Sequence, residues 1–215
     1  MHLTFTLRGD GPGDRMLLPV VRWTLSVALP EFEIHGEFAE PAKIRRRGAT
    51  LHDELRAAID LYPCDLLVVH RDAEKEGPAV RQSEIANAIQ AVQGLEEIDY
   101  IPIVPVRMAE AWFLIDEAAI RRASGNPNGT MELNLPAIKT LEELPDPKQR
   151  MRDCLRLASG LRGRRLKRFD DAYSALLVSD FINEYKALKS LVAYRHFTTH
   201  IESFATKVRC DHRCS

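Results

Sequence analysis

In a chain of 215 residues, 30 basic and 31 acidic side chains leave a formal net charge of −1. No global field therefore advertises a nucleic-acid or membrane partner, and any such contact must come from a local patch. The length suits one sizeable α/β domain with an appendage. No apolar run approaches the roughly 20 residues that span a bilayer, and the N-terminus lacks the layout of a secretory signal. Four cysteines, two of them in the last six residues, make no disulfide framework, so a cytoplasmic setting and no membrane contact are expected.

The first half alternates strand-like and helix-like segments. His2 to Leu7 alternates as a strand and runs into a turn rich in Gly and Pro, Arg8 to Asp14. Leu17, Leu18, Val21, Leu25 and Leu29 share helical spacing, which predicts a helix from about Arg15 to Leu29. A short strand is expected over Phe32 to Phe38, then a helix over Thr50 to Leu61 with Leu51, Leu55, Ala58 and Ile59 on one face. Leu66 to Val69 is a continuous branched apolar run, the pattern of a strand buried on both faces. Ile85, Ile89 and Val92 mark a helix over Pro78 to Gln93. Ile101 to Val106, punctuated by Pro102 and Pro105, reads as an edge strand, and Met108 to Ala123 reads as a helix. This layout predicts a mostly parallel sheet of about four strands flanked by helices over 1–123, with right-handed crossovers.

The second half loses the strands. A loop at 124–129 precedes a helix with Asp146 as N-cap and Pro147 at its first position. Two or three further helices follow, the last carrying Tyr185, Leu188, Leu191 and Val192. A helical appendage is thus expected over 124–207, and a frayed tail over 208–215. The tail's Cys210, His212 and Cys214 match no common structural zinc spacing.

Chemistry in parallel sheets sits at the carboxyl ends of the strands. Three strand ends here supply acids. Asp72 and Glu74 follow the 66–70 strand at i, i+2, and alternation points both side chains one way. Two close carboxylates repel unless a cation or proton intervenes, which suggests a divalent metal. Asp10 and Asp14 lie among glycines in the first turn, on the same edge; Asp14 serves either as a helix cap or as a functional acid. Glu110 arrives after the fourth strand. His70 alternates onto the face of Asp72 and is either a lining residue or a hydrogen-bonded strand-end histidine.

These residues resemble the Toprim domain, the metal-dependent α/β module of topoisomerases, primases and OLD-type nucleases. The likeness is closest to uncharacterised bacterial Toprim-like proteins, some encoded beside ATPases. It is carried by Asp10-Gly11-Pro12-Gly13-Asp14-Arg15 with Leu17-Leu18-Pro19, by His70-Arg71-Asp72-Ala73-Glu74 and by Glu110-Ala111-Trp112, over roughly residues 1–120. The resemblance implies a Rossmann-like Toprim fold and an Mg²⁺- or Mn²⁺-dependent nuclease. In that assignment Asp72 and Glu74 hold metal, Asp10 is a ligand or the acid/base, and Asp14 and Glu110 support them. Toprim domains usually carry Glu where Asp10 stands and Asp where Glu74 stands. The alternative it leaves is a non-catalytic binding subunit of an ATPase or another partner.

Decoys fall away. His70-Arg71-Asp72 copies the start of a kinase catalytic loop, but Gly77 stands where the metal-binding Asn belongs. The glycine turn also lacks the Lys of a P-loop. The dense basic runs are Lys43 to Arg47 and Arg162, Arg164, Arg165, Lys167 and Arg168. The first is expected to be a solvated face. The second is a candidate contact for nucleic acid or a protein partner.

Overall fold

A computed structural model describes residues 1–73, 76–92 and 98–213. Four strands, β1 (His2–Arg8), β2 (Glu33–Ala39), β3 (Leu66–His70) and β4 (Asp99–Ile103), form one all-parallel sheet in the order β2-β1-β3-β4. The class is the expected one, a Rossmann-like α/β sheet flanked by helices. β3 coincides with the predicted run, and all five of its residues are buried. β4 lies at an edge, where Pro102 interrupts the ladder least.

The crossovers explain themselves. After a 3-10 turn (Pro12–Met16), α1 (Leu17–Ala28) buries Leu17, Val20, Val21 and Leu25. A four-residue helix, α2 (Pro41–Ile44), adds to the expected elements; it begins with Pro in its first turn and ends where Ile44 is buried. α3 (Leu51–Leu61) starts at Thr50, whose side chain and that of Asp53 cap each other's backbone amides. α4 (Pro78–Gln90) follows Gly77, which supplies a φ of 88°.

Leu55 of α3 and Ile85 and Ile89 of α4 pack with Leu67, Val69 and Val104 into a dry cluster. Burial of each such side chain stabilises by about 1.5–3 kcal/mol. Truncating fully buried Leu55 to Ala is the single change that opens it, at about 2–5 kcal/mol. Between β1 and β2, Phe5 pairs with Gly36, and a Cβ there would stand 2.2 Å from the Phe5 ring. The ring occupies the place a side chain would take.

Two compact units divide the chain: 1–106 with 193–215, and 107–192. The change falls at 106/107, ahead of the expected 123/124, and the last helix belongs with the sheet. That helix, α9 (Val192–Arg213), runs on to Arg213, into the segment expected to fray. Within the sheet unit, Lys207 Nζ is 2.7 Å from Asp99 Oδ1, and Arg209 Nε is 2.7 Å from Glu31 Oε1. The Tyr194 hydroxyl lies 2.8 Å from Thr24 Oγ1.

The second unit is helical. The expected continuous helix over 108–123 is instead a 3-10 turn (Ala109–Phe113) and α5 (Glu117–Ala123). Asp116 interrupts it by accepting from the amide of Ala119 as the N-cap of α5. α6 (Pro147–Ala158) starts as predicted, with Asp146 accepting from Gln149. α7 (Gly163–Lys167) and α8 (Asp171–Phe181) follow. Tyr185 and Leu188 belong to a separate turn around a 3-10 helix (Lys186–Ser190), and Val192 opens α9. Among the described residues, no helix is long and apolar enough to cross a membrane.

Candidate functional site

The sheet order reverses around β1: the first crossover leads to β2 on one side, and the second returns to β3 on the other. The carboxyl ends of β1 and β3 therefore flank a topological switch point, the place where open α/β sheets bind ligands. Asp10 and Asp14 follow β1, and Asp72 follows β3.

Pairing with the β4 side continues past β3. Arg71 donates to the Ile103 carbonyl at 3.3 Å and Ala73 to the Pro105 carbonyl at 3.1 Å. The chain thus stays extended through Asp72, and alternation sets His70 and Asp72 on one side. His70 is fully buried, and its Nδ1 lies 3.1 Å from the Ile103 carbonyl. With Nδ1 donating there, as the outer nitrogen of a metal-ligating histidine does, Nε2 is the ring nitrogen left to face the two carboxylates. Nε2 stands 3.4 Å from Asp72 Oδ1 and 3.6 Å from Asp14 Oδ1. Both separations exceed an ordinary N–H···O bond, and Nε2 has no hydrogen-bond partner.

Asp14 is held from behind. Its Oδ2 accepts from the Gly11 amide at 2.9 Å, which closes the 3-10 turn and leaves Oδ1 toward His70. Gly9 makes room: a Cβ there would stand 2.6 Å from the Asp14 Cβ. Asp14 is therefore both a cap and a member of the cluster.

Asp10 belongs to a different network. Arg8 meets its Oδ1 at 2.9 Å and Arg71 its Oδ2 at 2.9 Å, so both oxygens are taken by guanidinium groups. Arg8, almost wholly buried, also pairs with Glu54, which Arg45 grips through both oxygens at 2.7 and 3.1 Å. Arg45 reaches on to the Asp10 carbonyl at 3.0 Å. Burial would push the Glu54 carboxyl up, but the bonds from Arg45 and Arg8 outweigh it and hold it below its usual value. The Glu54 carboxylate holds the Arg45 guanidinium above its ordinary value. Arg81 supports the loop by donating to the Asp72 carbonyl at 3.1 Å.

This network escaped the sequence reading. Its signals were a charged residue, Arg8, ending an apolar strand, and Glu54 interrupting the apolar face of α3.

Of the other expected site residues, Glu74 lies outside the described residues. Glu110 belongs to the second unit, where its Oε1 is 4.0 Å from Lys148 Nζ. Arg162, Arg164, Arg165, Lys167 and Arg168 are all exposed on and beside α7. A second donor cluster occupies the amino ends of β1 and β2: His2, Glu33 and His35, all exposed, with one ligand atom each within 4.8 Å of the others. It is more compact than the His70 cluster but open to solvent. No protein-family model, curated protein or solved structure matches the chain.

Proposed function

We propose that this chain is a divalent-metal-dependent phosphodiester hydrolase of the nuclease kind, with Asp14, Asp72 and Nε2 of His70 holding Mg²⁺ or Mn²⁺. The observation that carries the reading is the approach of two carboxylates to the buried, unpartnered Nε2 at the switch point. Each carboxylate stands close enough to Nε2 to share an ion with it, but the three ligand atoms do not all lie within 4.8 Å of one another, so an ion there must draw Asp14 and Asp72 together. Imidazole with carboxylate suits Mn²⁺ better than Mg²⁺. When bound, the ion would supply an activated water and neutralise charge on the phosphoryl group.

The chain's own residues do the rest. Arg8 pairs with Asp10, and the partly buried Arg71, shared between Asp10 and Glu84, keeps a guanidinium along the same edge. Asp10 enters as an anchor for these guanidiniums rather than as the acid/base. Glu74 remains a candidate ligand from the Toprim resemblance. The exposed α7 basic residues are candidate phosphate contacts.

The test is cleavage of labelled DNA and RNA with Mn²⁺ or Mg²⁺, comparing wild type with Asp72→Ala. Metal-dependent cleavage lost in the variant supports the reading, and retained cleavage sinks it. One observation favours a second reading, a binding subunit of an ATPase or another partner: both Asp10 oxygens are already paired. Metal binding without cleavage of any substrate, unchanged by Asp10→Glu, would favour that reading.

A further inference from the structure

The amino end of the sheet, opposite the switch point, carries acids of its own. Several are answered by the fold. Asp99 is held by Lys207 at 2.7 Å and Glu31 by Arg209 at 2.7 Å, and Asp65 accepts from the amide and hydroxyl of Thr4 at 2.7 and 2.8 Å. Glu33 differs: among the described residues it pairs with two imidazoles and with no lysine or arginine. Its Oε2 lies 3.2 Å from Nδ1 of His2, and its Oε1 lies 3.2 Å from Nε2 of His35.

Backbone register builds this trio. His2 of β1 is the ladder partner of Glu33 of β2, so the two side chains leave the same face of the sheet. Alternation places Glu33 and His35 on one face of β2, while Ile34 between them is buried on the other. The Glu33 amide donates to the Met1 carbonyl at 2.8 Å, which carries the ladder to the start of β1 and fixes the His2 backbone. A slip of one residue would turn Ile34 to solvent and break up the trio, so burial of Ile34 beside Leu3 guards the arrangement. The two rings lie side by side, with centroids 6.1 Å apart and planes 30° from parallel.

Two imidazoles and a carboxylate are a donor set for Zn²⁺, whereas Mg²⁺ and Ca²⁺ prefer oxygen alone. Around a tetrahedral ion with ligands at about 2.0–2.2 Å, neighbouring ligand atoms stand about 3.3–3.6 Å apart. One ligand atom from each residue already lies within 4.8 Å of the others, and all three side chains are exposed, free to close the remaining gap. We infer that His2, Glu33 and His35 hold a divalent ion of the Zn²⁺ class, with water completing its coordination. The ion ties the first residue of β1 to the edge strand β2. β1 is 7 residues long, so roughly 20 Å separates this trio from the switch point. The site therefore shares no ligand with Asp14, His70 and Asp72 and stands apart from the hydrolase reading.

The experiment is calorimetric titration of the full chain with Zn²⁺ at about pH 7.5, where an unperturbed imidazole is largely neutral. Cys210 and Cys214 are replaced by serine in every sample, so that thiolates do not compete for the ion. Zn²⁺ binding undisturbed by millimolar Mg²⁺ is expected. His2→Ala and His35→Ala should each weaken it at least about tenfold, since removing even an outer partner of a ligand costs that much. Both residues are exposed, and the fold should survive either change. Asp72→Ala should keep the histidine-sensitive binding, and His35→Ala should keep any Mn²⁺-dependent thermal stabilisation of wild type.

Equal Zn²⁺ affinity in wild type and both histidine variants overturns the inference, because the imidazoles would then only pair with Glu33. Displacement of the ion by millimolar Mg²⁺ overturns it as well. So does loss of the binding in Asp72→Ala, which would put the ion at the switch point. Failure of Mn²⁺ to stabilise wild type, with Zn²⁺ binding still dependent on His2 and His35, removes the hydrolase reading and leaves this site standing.

Discussion

Asp72 Oδ1 faces Nε2 of His70 at 3.4 Å, two residues along an extended chain, while the other ring nitrogen is held by the Ile103 carbonyl. The imidazole therefore cannot rotate to offer either nitrogen at will. Millimolar Mn²⁺ is expected to raise the unfolding temperature of wild type. At a hundredfold its dissociation constant an ion adds about 2.7 kcal/mol, worth about 5–10 °C for a chain of this size. Asp72→Ala and His70→Gln should each lose most of that shift in a thermal melt. A full shift in both variants would exclude the cluster as the ion's site.

Gly9 tests whether the placement of Asp14 matters apart from its charge. Gly9→Ala adds a methyl group 2.6 Å from the Asp14 Cβ, so the acid must move although every donor remains. The Mn²⁺-dependent shift should fall well below that of wild type, with little loss of folded structure by circular dichroism. An undiminished shift would show that Asp14 lies outside the ligand set.

Glu54 neutralises Arg8 where neither reaches water freely. Removing one partner of a buried pair costs about 3–5 kcal/mol, because the other is left charged and uncompensated. Glu54→Ala should lower stability to urea by that amount. The pH sign follows from the depressed carboxyl. Its stabilisation is complete above the ordinary value near 4.5 and is lost as pH falls through the lower folded value. Stability of wild type minus that of Glu54→Gln should therefore shrink below pH 4.5. A difference that stays flat under acid would contradict this assignment.

The legible part of this fold was what a one-dimensional pattern carries. Leu66 to His70 declares a doubly buried strand without help from any other segment, and Asp146-Pro147 declares a helix start through its own bonds. The region after 106 was harder because helical composition continues across a break. Alanines 109 to 119 suit a helix, but Asp116 caps a new one through a single bond to Ala119. The last helix was misplaced for a similar reason. Tyr185 fits the spacing of Leu188 and Leu191, yet its hydroxyl is drawn back to the Ser179 carbonyl at 2.9 Å, and the stripe that forms α9 begins at Tyr194 and runs through Phe197, Ile201 and Phe204. At the candidate site, alternation was enough to align His70 with Asp72. Arg8 and Asp10 are only two positions apart, but the pairing of Asp10 with Arg71 spans 61 positions and that of Arg8 with Glu54 spans 46, and no local pattern encodes those.

Tyr194 joins the last helix to α1 from within the sheet unit. Thr24 Oγ1 donates to the Val20 carbonyl at 2.7 Å, so the Tyr194 hydroxyl must be the donor in its 2.8 Å contact with Thr24. Burial disfavours the phenolate and pushes the Tyr194 hydroxyl up to about 12, with the Thr24 bond opposing only in part. A folded value above the unfolded one near 10 stabilises the fold fully below pH 10, and that contribution disappears as pH rises toward 12. Tyr194→Phe loses one buried hydrogen bond, about 0.5–1.5 kcal/mol at neutral pH. It should also unfold less steeply than wild type between pH 10 and 12, because the residue whose ionisation opposes folding is gone. Exposed Tyr173 is the control, and Tyr173→Phe should follow wild type throughout. Parallel alkaline curves for Tyr194→Phe and wild type would mean that the phenol stays protonated until the fold has already been lost for another reason.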